Sequence, residues 1–320
     1  MFSIEIAGTA SLLLGRPVST RDLVEEVFPD QDPSVYEQKV GIKTRHWVEP
    51  GTSYAAHGAK VLAAACADAG IAPSDLRRVI LATSLGGDRL IPATVNALLA
   101  ELGVSGTCDA FDINNACMGF LSAMDIATRS VATGLGPVGI VSIEHTSKWI
   151  GPDYHRSYFV FGDAAAAAVV TAGEGKVTQF QRNDGTLPSG AFLDHGAQRG
   201  SARMKFSVSS KHMTGMAVEA LQTSADRVLD DAGLRIDDID WVLPHQPNGR
   251  MLDRALDLLG VRPDQAVRVV DEIGSVGNVA IPFSLDRLRR TRDVKPGHRI
   301  LILGVGTGIS YGALLYEVPQ

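Results

Sequence analysis

Cys117 lies at a point in the sequence where a thiol could act as a nucleophile. It belongs to residues 111–120, where an extended run leads into small and apolar residues that predict a helix. A thiol at such a turn faces the unpaired N–H groups and the positive dipole end of the helix, which favour the thiolate. The alternative is a small buried side chain, which is our interpretation of Cys66, inside a predicted helix, and of Cys108, which precedes a strand.

Two further side chains could act on an anionic oxygen. His245 directly follows the predicted strand 241–243, and ligands of α/β proteins bind at the carboxyl ends of strands. Asn278 lies shortly before a predicted helix that opens near Ile281. A neutral imidazole and an amide are both hydrogen-bond donors suited to an enolate or oxyanion. A loop histidine and a turn or helix-capping asparagine are the alternatives.

The glycine-rich segment 304–308 follows a predicted strand and could be mistaken for a nucleotide-binding loop. It lacks the lysine of a phosphate-binding loop, and isoleucine stands at 309, where the dinucleotide pattern G-x-G-x-x-G would need its third glycine. No regular helical pattern follows it. We therefore exclude a nucleotide site there.

The composition restricts the possible classes of protein. The chain has 320 residues, of which 45% are hydrophobic and 21% charged, and this excludes disorder and coiled coil. A net charge of −6 without a basic stripe argues against a nucleic-acid partner. No apolar run approaches the roughly 20 residues that span a bilayer, and no secretory signal is visible. The three cysteines cannot all pair, which indicates a reducing cytoplasm. We expect neither a metal nor a cofactor.

The periodicity of the sequence predicts alternating strands and helices. Short β-branched runs predict buried strands at 79–82, 138–143, 159–161 with 165–171, 241–243, 267–270 and 300–303. Helical patterns occur at 53–69, 94–102, 118–133, 216–232, 249–259 and 281–291. This alternation predicts an α/β layered fold.

An internal repeat refines this prediction. A series of alanine, glycine, aspartate and valine positions recurs at a constant offset of 163 residues, from Ala69, Gly70, Asp75 and Val79 to Ala232, Gly233, Asp238 and Val242. Two copies indicate two homologous halves rather than a solenoid. We place them at residues 1–172, with the cysteine, and residues 173–320, with the histidine and asparagine. No linker separates them, so we expect one continuous core.

Taken together, the motifs resemble the ketoacyl–acyl-carrier-protein synthase III branch of the thiolase superfamily. The nucleophile segment Ala-Cys-x-Gly-Phe is matched at 116–120, the segment His-Gln-x-Asn-x-Arg at 245–250, and the Gly-Asn pair at 277–278. Weaker matches follow in family order at 41–46, 91–94, 161–163, 304–308 and 311–312. The resemblance implies a thiolase-like fold with two pseudo-symmetric halves in five layers, α-β-α-β-α.

The resemblance also implies a reaction. An acyl-coenzyme A or acyl-carrier-protein donor would acylate Cys117, and a malonyl-type thioester would then lose carbon dioxide and condense with the acyl group. His245 and Asn278 would hold the enolate. The backbone N–H groups of Cys117 and Thr307 would form the oxyanion hole, although the family normally has glycine at the position of Thr307.

Substrate binding in the family implies roles for Ile91, Gly306 and Arg250. Ile91 stands where the family has a side chain, commonly aromatic, that crosses a homodimer interface to close the partner's acyl tunnel. Arg250 matches a residue of the carrier-protein docking patch.

Several departures from the family point to a specialised relative, for example in secondary metabolism. The family's aromatic and arginine that grip coenzyme A are replaced by Val35 and Lys39. Lysines of the docking patch are replaced by Asp257, Leu258 and Ala220, which makes that surface less positive.

Three functions remain open on the sequence. The first is a decarboxylating condensing enzyme. The second is an acyltransferase or non-decarboxylating condensing enzyme that uses the same acyl-Cys117. The third is a catalytically silent partner subunit. Asn278 favours condensation, since simple acyl transfer needs no amide to hold an enolate, and the presence of Cys117 and His245 argues against a silent subunit.

Overall fold

The computed structural model describes residues 2–185, 190–193 and 203–320. The strands in these ranges are β1 (Phe2–Leu13), β2 (Arg16–Ser19), β3 (Thr44–Trp47), β4 (Arg78–Ala82), β5 (Asp109–Ile113), β6 (Val138–His145), β7 (Asp163–Asn183), β8 (Ala191–Phe192), β9 (Lys205–Phe206), β10 (Trp241–Pro244), β11 (Arg299–Gly306) and β12 (Ser310–Glu317). The helices are α1 (Thr20–Val27), α2 (Pro33–Val40), α3 (Tyr54–Asp68), α4 (Thr94–Glu101), α5 (Gly119–Ala132), α6 (His155–Tyr158), α7 (Ser210–Ala232), α8 (Gly249–Leu259), α9 (Val270–Ile273) and α10 (Ala280–Thr291). None of these helices is long and apolar enough to cross a membrane.

The 21-residue strand β7 joins the two parts of the sheet system. Its first part pairs with β6 and β1, and its last part pairs with β12, in each case antiparallel. The strand order is β10-β11-β12-β7-β6-β4-β5. Parallel pairing joins β4 to β5 and β6, and β10 to β11. The carboxyl ends of β6, β10 and β11 are therefore available to build one site.

Alternate residues of the strands face different hydrophobic cores. In β7, Ala164 packs in the core around α5 and α10, whereas Ala165 packs in the core around α3 and α4. In β11, Ile302 belongs to the same central core, whereas Leu301 packs with α7 and α8. The order of layers is thus α3 and α4, sheet, α5 and α10, sheet, α7 and α8. This is the five-layer α/β arrangement that the resemblance implies.

The 163-residue repeat forms equivalent elements in the two halves. The first copy runs from α3 into β4, and the second from α7 into β10. Each helix is followed by a glycine in the left-handed region, Gly70 and Gly233, both with φ +68°. A non-glycine residue there would strain the backbone, which explains why glycine appears in both copies. The boundary at residue 172 stays a prediction, and β7 runs through it.

The predicted strand 267–270 is wrong. The segment is irregular, and α9 begins at Val270. Its backbone groups bond the buried side chain of Gln246 instead of a neighbouring strand. Gln246 Nε2 donates to Val267 O at 2.7 Å, and its Oε1 accepts from the N–H groups of Val269 and Val270 at 3.0 and 3.1 Å. A glutamine side chain thus replaces a sheet ladder.

Residues 159–161 also fail to form the predicted strand. Phe159 N donates to His155 O at 3.0 Å and Val160 N to Ser157 O at 3.2 Å, so the chain completes the turn of α6 before β7 begins at Asp163. The pairing that remains is one isolated parallel bridge between Phe161 and Ser275, which is too short to form a strand.

We expect Gln246→Ala to lower the free energy of unfolding by about 3 kcal/mol, because each buried polar group left without a partner costs roughly 1–3 kcal/mol. Urea denaturation followed by circular dichroism measures the change. Gln222→Ala is the matched control, since Gln222 bonds Asp226 on the surface of α7 at 2.7 Å, and it should change stability by less than about 0.5 kcal/mol. Equal effects at the two positions would contradict the role of Gln246.

Candidate active site

A cavity of about 130 Å³ lies at the carboxyl ends of β6, β10 and β11. Cys117, Glu144 and His245 line it together with Gly306 and Thr307. The rest of the wall is mainly apolar and includes four methionines, Met204, Met213, Met216 and Met251. Methionine side chains adapt to irregular apolar ligands, so this wall suits an acyl chain.

Cys117 lies on the turn between β5 and α5, as the sequence predicts. Ala116 has φ +44°, a left-handed conformation that is costly for a non-glycine residue. The turn is held by Met118 N donating to Asn115 O at 2.9 Å and Gly119 N to Ala116 O at 3.1 Å. The Asn115 side chain fixes it further by accepting from Ser310 Oγ at 2.8 Å. This geometry presents the thiol to the cavity.

The resting thiol of Cys117 is protonated. Burial, together with the nearby Glu144 carboxylate, raises the pKa of Cys117 to about 12, and the backbone N–H of Cys117 only partly opposes this. The N–H group at the start of the helix lowers the pKa of the thiol, in the direction that the sequence predicts, but desolvation outweighs it. Attack on a thioester needs a base that removes the proton.

His245 is a buried imidazole that lines the same cavity. Its backbone N donates to Leu303 O at 2.7 Å, which fixes the residue at the end of the β10–β11 ladder. Burial lowers the pKa of His245 to about 4, so the ring is neutral at physiological pH. Its Nδ1 is buried and has no hydrogen-bond partner among the described residues. No neighbour there locks the tautomer, so Nε2 can accept a proton in one step and donate one in another.

Asn278 is brought to the same place from the start of α10. It is buried and packs against Gly119, where an added Cβ would lie 3.3 Å from Asn278 Cβ. Its Nδ2 donates to Glu144 Oε1, while its Oδ1 has no partner among the described residues. Cys117 and His245 therefore line one cavity, and Asn278 adjoins it through its bond to Glu144 and through its neighbour Gly277, which both line the wall.

Glu144 was not identified from the sequence. It lies at the end of β6, a strand whose eight residues are all buried. Burial raises the pKa of Glu144 to about 7, while hydrogen bonds from Ser84, Asn278 and Thr83 lower it. A glutamate followed by a histidine at the end of an apolar strand was the available signal, since a charged residue is rarely placed there without a partner.

Gly306 and Thr307 contribute to the cavity in different ways. An added Cβ on Gly306 would lie 3.3 Å from Cys117 N, so glycine allows β11 to approach the nucleophile turn closely. The Thr307 side chain bonds β8, accepting from Ala191 N at 3.1 Å and donating to Ala191 O. Thr307 therefore anchors a strand that covers the cavity, a role that a glycine could not fill.

A wider chamber of about 630 Å³ adjoins the cavity. The two share wall residues that include Phe161, Phe206, Met213, Pro247 and Met251. Four cationic side chains line the chamber, Lys39, Arg156, Arg250 and Arg254. Arg250 also donates from Nε to Gln38 O at 2.5 Å. An anionic ligand can therefore be bound outside while its other end reaches Cys117.

The aromatic side of this chamber differs from the sequence-based expectation. Val35 is 58% exposed and does not line the chamber, whereas its neighbour Tyr36 does. Tyr36 stacks with Phe28 and Phe159 at ring-centroid distances of 5.4 and 5.2 Å. The chamber thus has an aromatic surface, although position 35 carries a valine. Arg156, which the sequence analysis missed, lies over Phe206 at 3.9 Å from its ring centroid.

The other sequence-predicted positions lie away from the cavity. Ile91 is 86% exposed in the single chain. Leu258 is also exposed, whereas Ala220 is buried in the core beneath α7 and α8 and contributes no surface. Among the described residues, no group of three or more histidine, cysteine, aspartate or glutamate side chains could hold a metal ion.

Comparison with known proteins agrees with this geometry. Residues 111–185 match the profile of 3-oxoacyl-[acyl-carrier-protein] synthase III, and residues 229–318 match the profile of its C-terminal part. A beta-ketoacyl-[acyl-carrier-protein] synthase III of Rhizorhabdus wittichii is 31% identical over 313 residues, which cover 96% of this chain and 97% of the relative. The chain belongs to the synthase III family. Cys117 and Glu144 fall in the first match, His245 and Asn278 in the second.

Solved structures of the family have the same fold. A 3-oxoacyl-[acyl-carrier-protein] synthase III from Aquifex aeolicus superposes with a TM-score of 0.89 at 26% identity, covering 99% of this chain and all of the other. The priming beta-ketosynthase of the R1128 polyketide pathway gives 0.90 at 27% identity and covers 100% and 97%. The thiolase-like fold is confirmed, and the protein is a synthase III-like condensing enzyme, an acyltransferase.

We expect the ring of His245 to titrate near pH 4 rather than near 6.5, because the charged imidazolium would lose its hydration in the cavity. Nuclear magnetic resonance of the ring nitrogens measures this, with the His245→Gln spectrum used to assign the signal. A midpoint above about 6 for His245 would contradict a neutral base.

Proposed function

We propose that this synthase III-like enzyme catalyses a decarboxylative Claisen condensation between an acyl group on Cys117 and a malonyl-type thioester. The product is a beta-ketoacyl thioester. The proposal is supported by one observation above all: the Cys117 thiol and a neutral His245 line one apolar cavity, and the Asn278 amide is bonded to Glu144 on the wall of that cavity.

The first step would load the enzyme. Cys117 Sγ attacks the carbonyl carbon of the donor thioester while its proton passes to His245. The carbon–sulfur bond of the donor breaks, and the departing thiolate takes the proton back from His245. A neutral histidine suits this transfer, since it accepts a proton without first having to lose one. We infer that the N–H groups of Cys117 and Thr307 hold the tetrahedral oxyanion.

The second step would form the carbon–carbon bond. The extender loses its carboxylate as carbon dioxide, and the electron pair of the broken bond becomes an enolate. His245 Nε2–H and Asn278 Nδ2–H donate to the enolate oxygen. The nucleophilic carbon then attacks the acyl carbonyl on Cys117 and the bond between that carbonyl carbon and Sγ breaks. The departing Cys117 thiolate takes up one proton from solvent by way of His245. The two donors act only on the charge that develops, so they lower the barrier without tightening ground-state binding.

The outer chamber supports a donor that carries phosphates. Arg156 and Arg250 offer guanidinium groups, which bind phosphate oxygens well, and Tyr36 and Phe28 offer a stacking surface for a base. Coenzyme A combines both features. A carrier protein would meet Asp257 and the exposed Leu258 beside this opening, which weakens attraction for an acidic partner. We infer a specialised condensing enzyme whose acyl donor is bound to coenzyme A.

We expect Cys117→Ala to abolish the covalent acyl adduct and to keep the fold, because no other thiol lines the cavity in the described residues. Intact-protein mass spectrometry after incubation with acetyl-, butyryl-, octanoyl- and decanoyl-coenzyme A measures the adduct. Cys66→Ala and Cys108→Ala are matched controls that should still load. An adduct on either of these cysteines in the unsubstituted protein would refute the assignment.

We expect Asn278→Ala to form acyl-Cys117 at nearly the normal rate and to release carbon dioxide about 100-fold more slowly, since loss of one oxyanion donor typically costs about 100- to 1000-fold. Carboxyl-labelled malonyl-coenzyme A reports the release. If carbon dioxide release is unchanged, the alternative of acyl transfer, or of condensation without decarboxylation, replaces this proposal.

A homodimer is also part of the proposal. In the described residues β5 pairs with β4 only, so its outer edge presents unpaired backbone groups, a ready template for a second copy. Asp112 on β5 accepts from the N–H groups of Thr94 and Val95 at 2.6 and 2.9 Å, which ties the loop that carries Ile91 to this edge. Ile91 thereby projects beside the free edge, where it could reach the cavity of a partner.

We expect Ile91→Trp to exclude decanoyl groups from Cys117 while acetyl loading continues, because the larger side chain would shorten the partner's acyl tunnel. Competition between acetyl- and decanoyl-coenzyme A, read by mass spectrometry, measures the selectivity. Ile91→Ala, which places a smaller side chain at the same exposed position, is the matched control and should still admit decanoyl groups. A monomer by light scattering, or equal loss of short and long donors, would contradict this use of Ile91.

A further inference from the structure

Glu144 is a buried carboxyl group beside Cys117. Its carboxyl oxygens accept hydrogen bonds from three other residues. Its Oε1 accepts from Ser84 N at 2.9 Å, from Ser84 Oγ at 2.5 Å and from Asn278 Nδ2, and its Oε2 accepts from Thr83 Oγ1 at 3.5 Å. It is 1% exposed and lines the cavity with Cys117. No lysine or arginine forms an ion pair with it among the described residues.

These hydrogen bonds determine the orientation of the Asn278 side-chain amide. A carboxylate can only accept, so the amide must present Nδ2 rather than Oδ1 to Glu144 Oε1. Ser84 donates twice to the same oxygen and fixes it in place. One N–H of Nδ2 is used by this bond, and the second N–H is left with a set direction for a substrate oxygen.

The backbone beside Asn278 is shaped for this contact. Gly277 has φ +53°, and an added Cβ there would lie 3.2 Å from both Cγ and Oε1 of Glu144. Any larger residue would be strained and would push the carboxyl group away. The closeness of α10 to the end of β6 thus depends on glycine preceding the asparagine.

We propose that Glu144 is a positioning residue that holds the Asn278 amide with its nitrogen towards the enolate oxygen. The inference rests on the proposed function and assigns Glu144 to the decarboxylation step of that reaction. Without an acceptor at this place, the amide can rotate by about 180° about χ2 and turn Oδ1 to the enolate, where two oxygens repel. A donor fixed in advance loses no free energy in reorienting at the transition state.

A direct role for Glu144 in loading is disfavoured by its charge. A carboxylate beside Cys117 opposes formation of the thiolate, as the raised pKa of that thiol reflects. Removing the carboxylate should therefore leave acylation of Cys117 unchanged or faster. An effect confined to the second step distinguishes positioning of Asn278 from general support of the cavity.

The test compares two substitutions with opposite expectations. Glu144→Gln retains an oxygen at the Oε1 position, where Ser84 and Asn278 donate, and its amide can donate to Thr83 Oγ1, so carbon dioxide release should stay within about tenfold. Glu144→Leu removes the acceptor and should slow release about 100-fold, the typical effect of losing an oxyanion donor. Ser142→Ala, also buried on β6, is the control and should match the unsubstituted enzyme.

The measurements are acylation of Cys117 by the best acyl-coenzyme A of the panel and carbon dioxide release from carboxyl-labelled malonyl-coenzyme A. Acylation should stay within about threefold in all variants, and Glu144→Leu should add no further loss of release to Asn278→Ala. Such non-additivity is the signature of one residue acting through another.

Three outcomes would overturn the inference. If Glu144→Gln is as slow as Glu144→Leu, the carboxylate itself takes part in the chemistry. If Glu144→Leu slows the Asn278→Ala enzyme further, the two residues act independently. If Glu144→Leu releases carbon dioxide normally, the contact has no role. Should Glu144→Leu fail to fold, the folded Glu144→Gln enzyme still decides, because a 100-fold loss there contradicts positioning. Absence of any acyl adduct in the unsubstituted protein would instead refute the proposed function.

Discussion

Desolvation governs the chemistry of this site. Cys117, Glu144 and His245 line one small cavity, and burial shifts each pKa towards the neutral form of the group, to about 12, about 7 and about 4. Because the Cys117 thiol and the His245 imidazole are both neutral, the thiol can transfer its proton to the imidazole without either group being charged before the transfer. The same lack of water strengthens every hydrogen bond to a developing enolate or oxyanion. The apolar wall that binds an acyl chain and the electrostatics of catalysis thus have one origin.

The layered fold explains how groups distant in sequence reach this cavity. The central layer of α5 and α10 lies between two sheets, and each helix begins beside a strand end. Cys117 precedes α5, Asn278 precedes α10, and His245 follows β10. Because β7 runs through both parts of the sheet system, the ends of β6 and β11 are held in a fixed relation. The packing of α5 and α10 between the two sheets therefore positions Cys117 and Asn278, and flexible loops contribute little to their positions.

Much of this arrangement could be predicted from the sequence because it depends on local patterns. The 163-residue repeat predicted equivalent elements in both halves, and the helix 249–259 has the predicted bounds. The strand 267–270 failed because a single side chain, Gln246, satisfies backbone groups that a pattern assigns to a sheet. The sequence predicts that the aromatic of the coenzyme A site is absent because valine stands at position 35, but the neighbouring Tyr36 lines the chamber. Which of these two side chains lines the chamber depends on the face that the short helix α2 turns towards it.

The residues that we propose as the reacting groups could be named from the sequence, whereas the residues that support them could not. Cys117, His245 and Asn278 stand in distinctive motifs. Glu144 does not, because its contacts form only when two other segments meet it, one with Ser84 and one with Gly277 and Asn278. The protonation state of Cys117 was also beyond the sequence. The N–H group at the start of α5 lowers the pKa of the Cys117 thiol, whereas desolvation in the cavity raises it. The balance depends on how closely β11 approaches the thiol at Gly306.

The distribution of charge adds a constraint on substrates. The chain carries a net charge of −6, yet four cationic side chains line the chamber outside the cavity. An anionic ligand is repelled by the molecule as a whole at long range, and screening over about 10 Å at 0.1 M salt limits that repulsion. In the proposed function, close contacts with Arg156 and Arg250 would then contribute most to the binding of such a ligand. A small phosphate-bearing handle fits entirely within this local field, whereas an acidic protein spreads its charge over a surface that includes Asp257 and Leu258. The geometry therefore favours a handle that enters the chamber over a partner that docks around it.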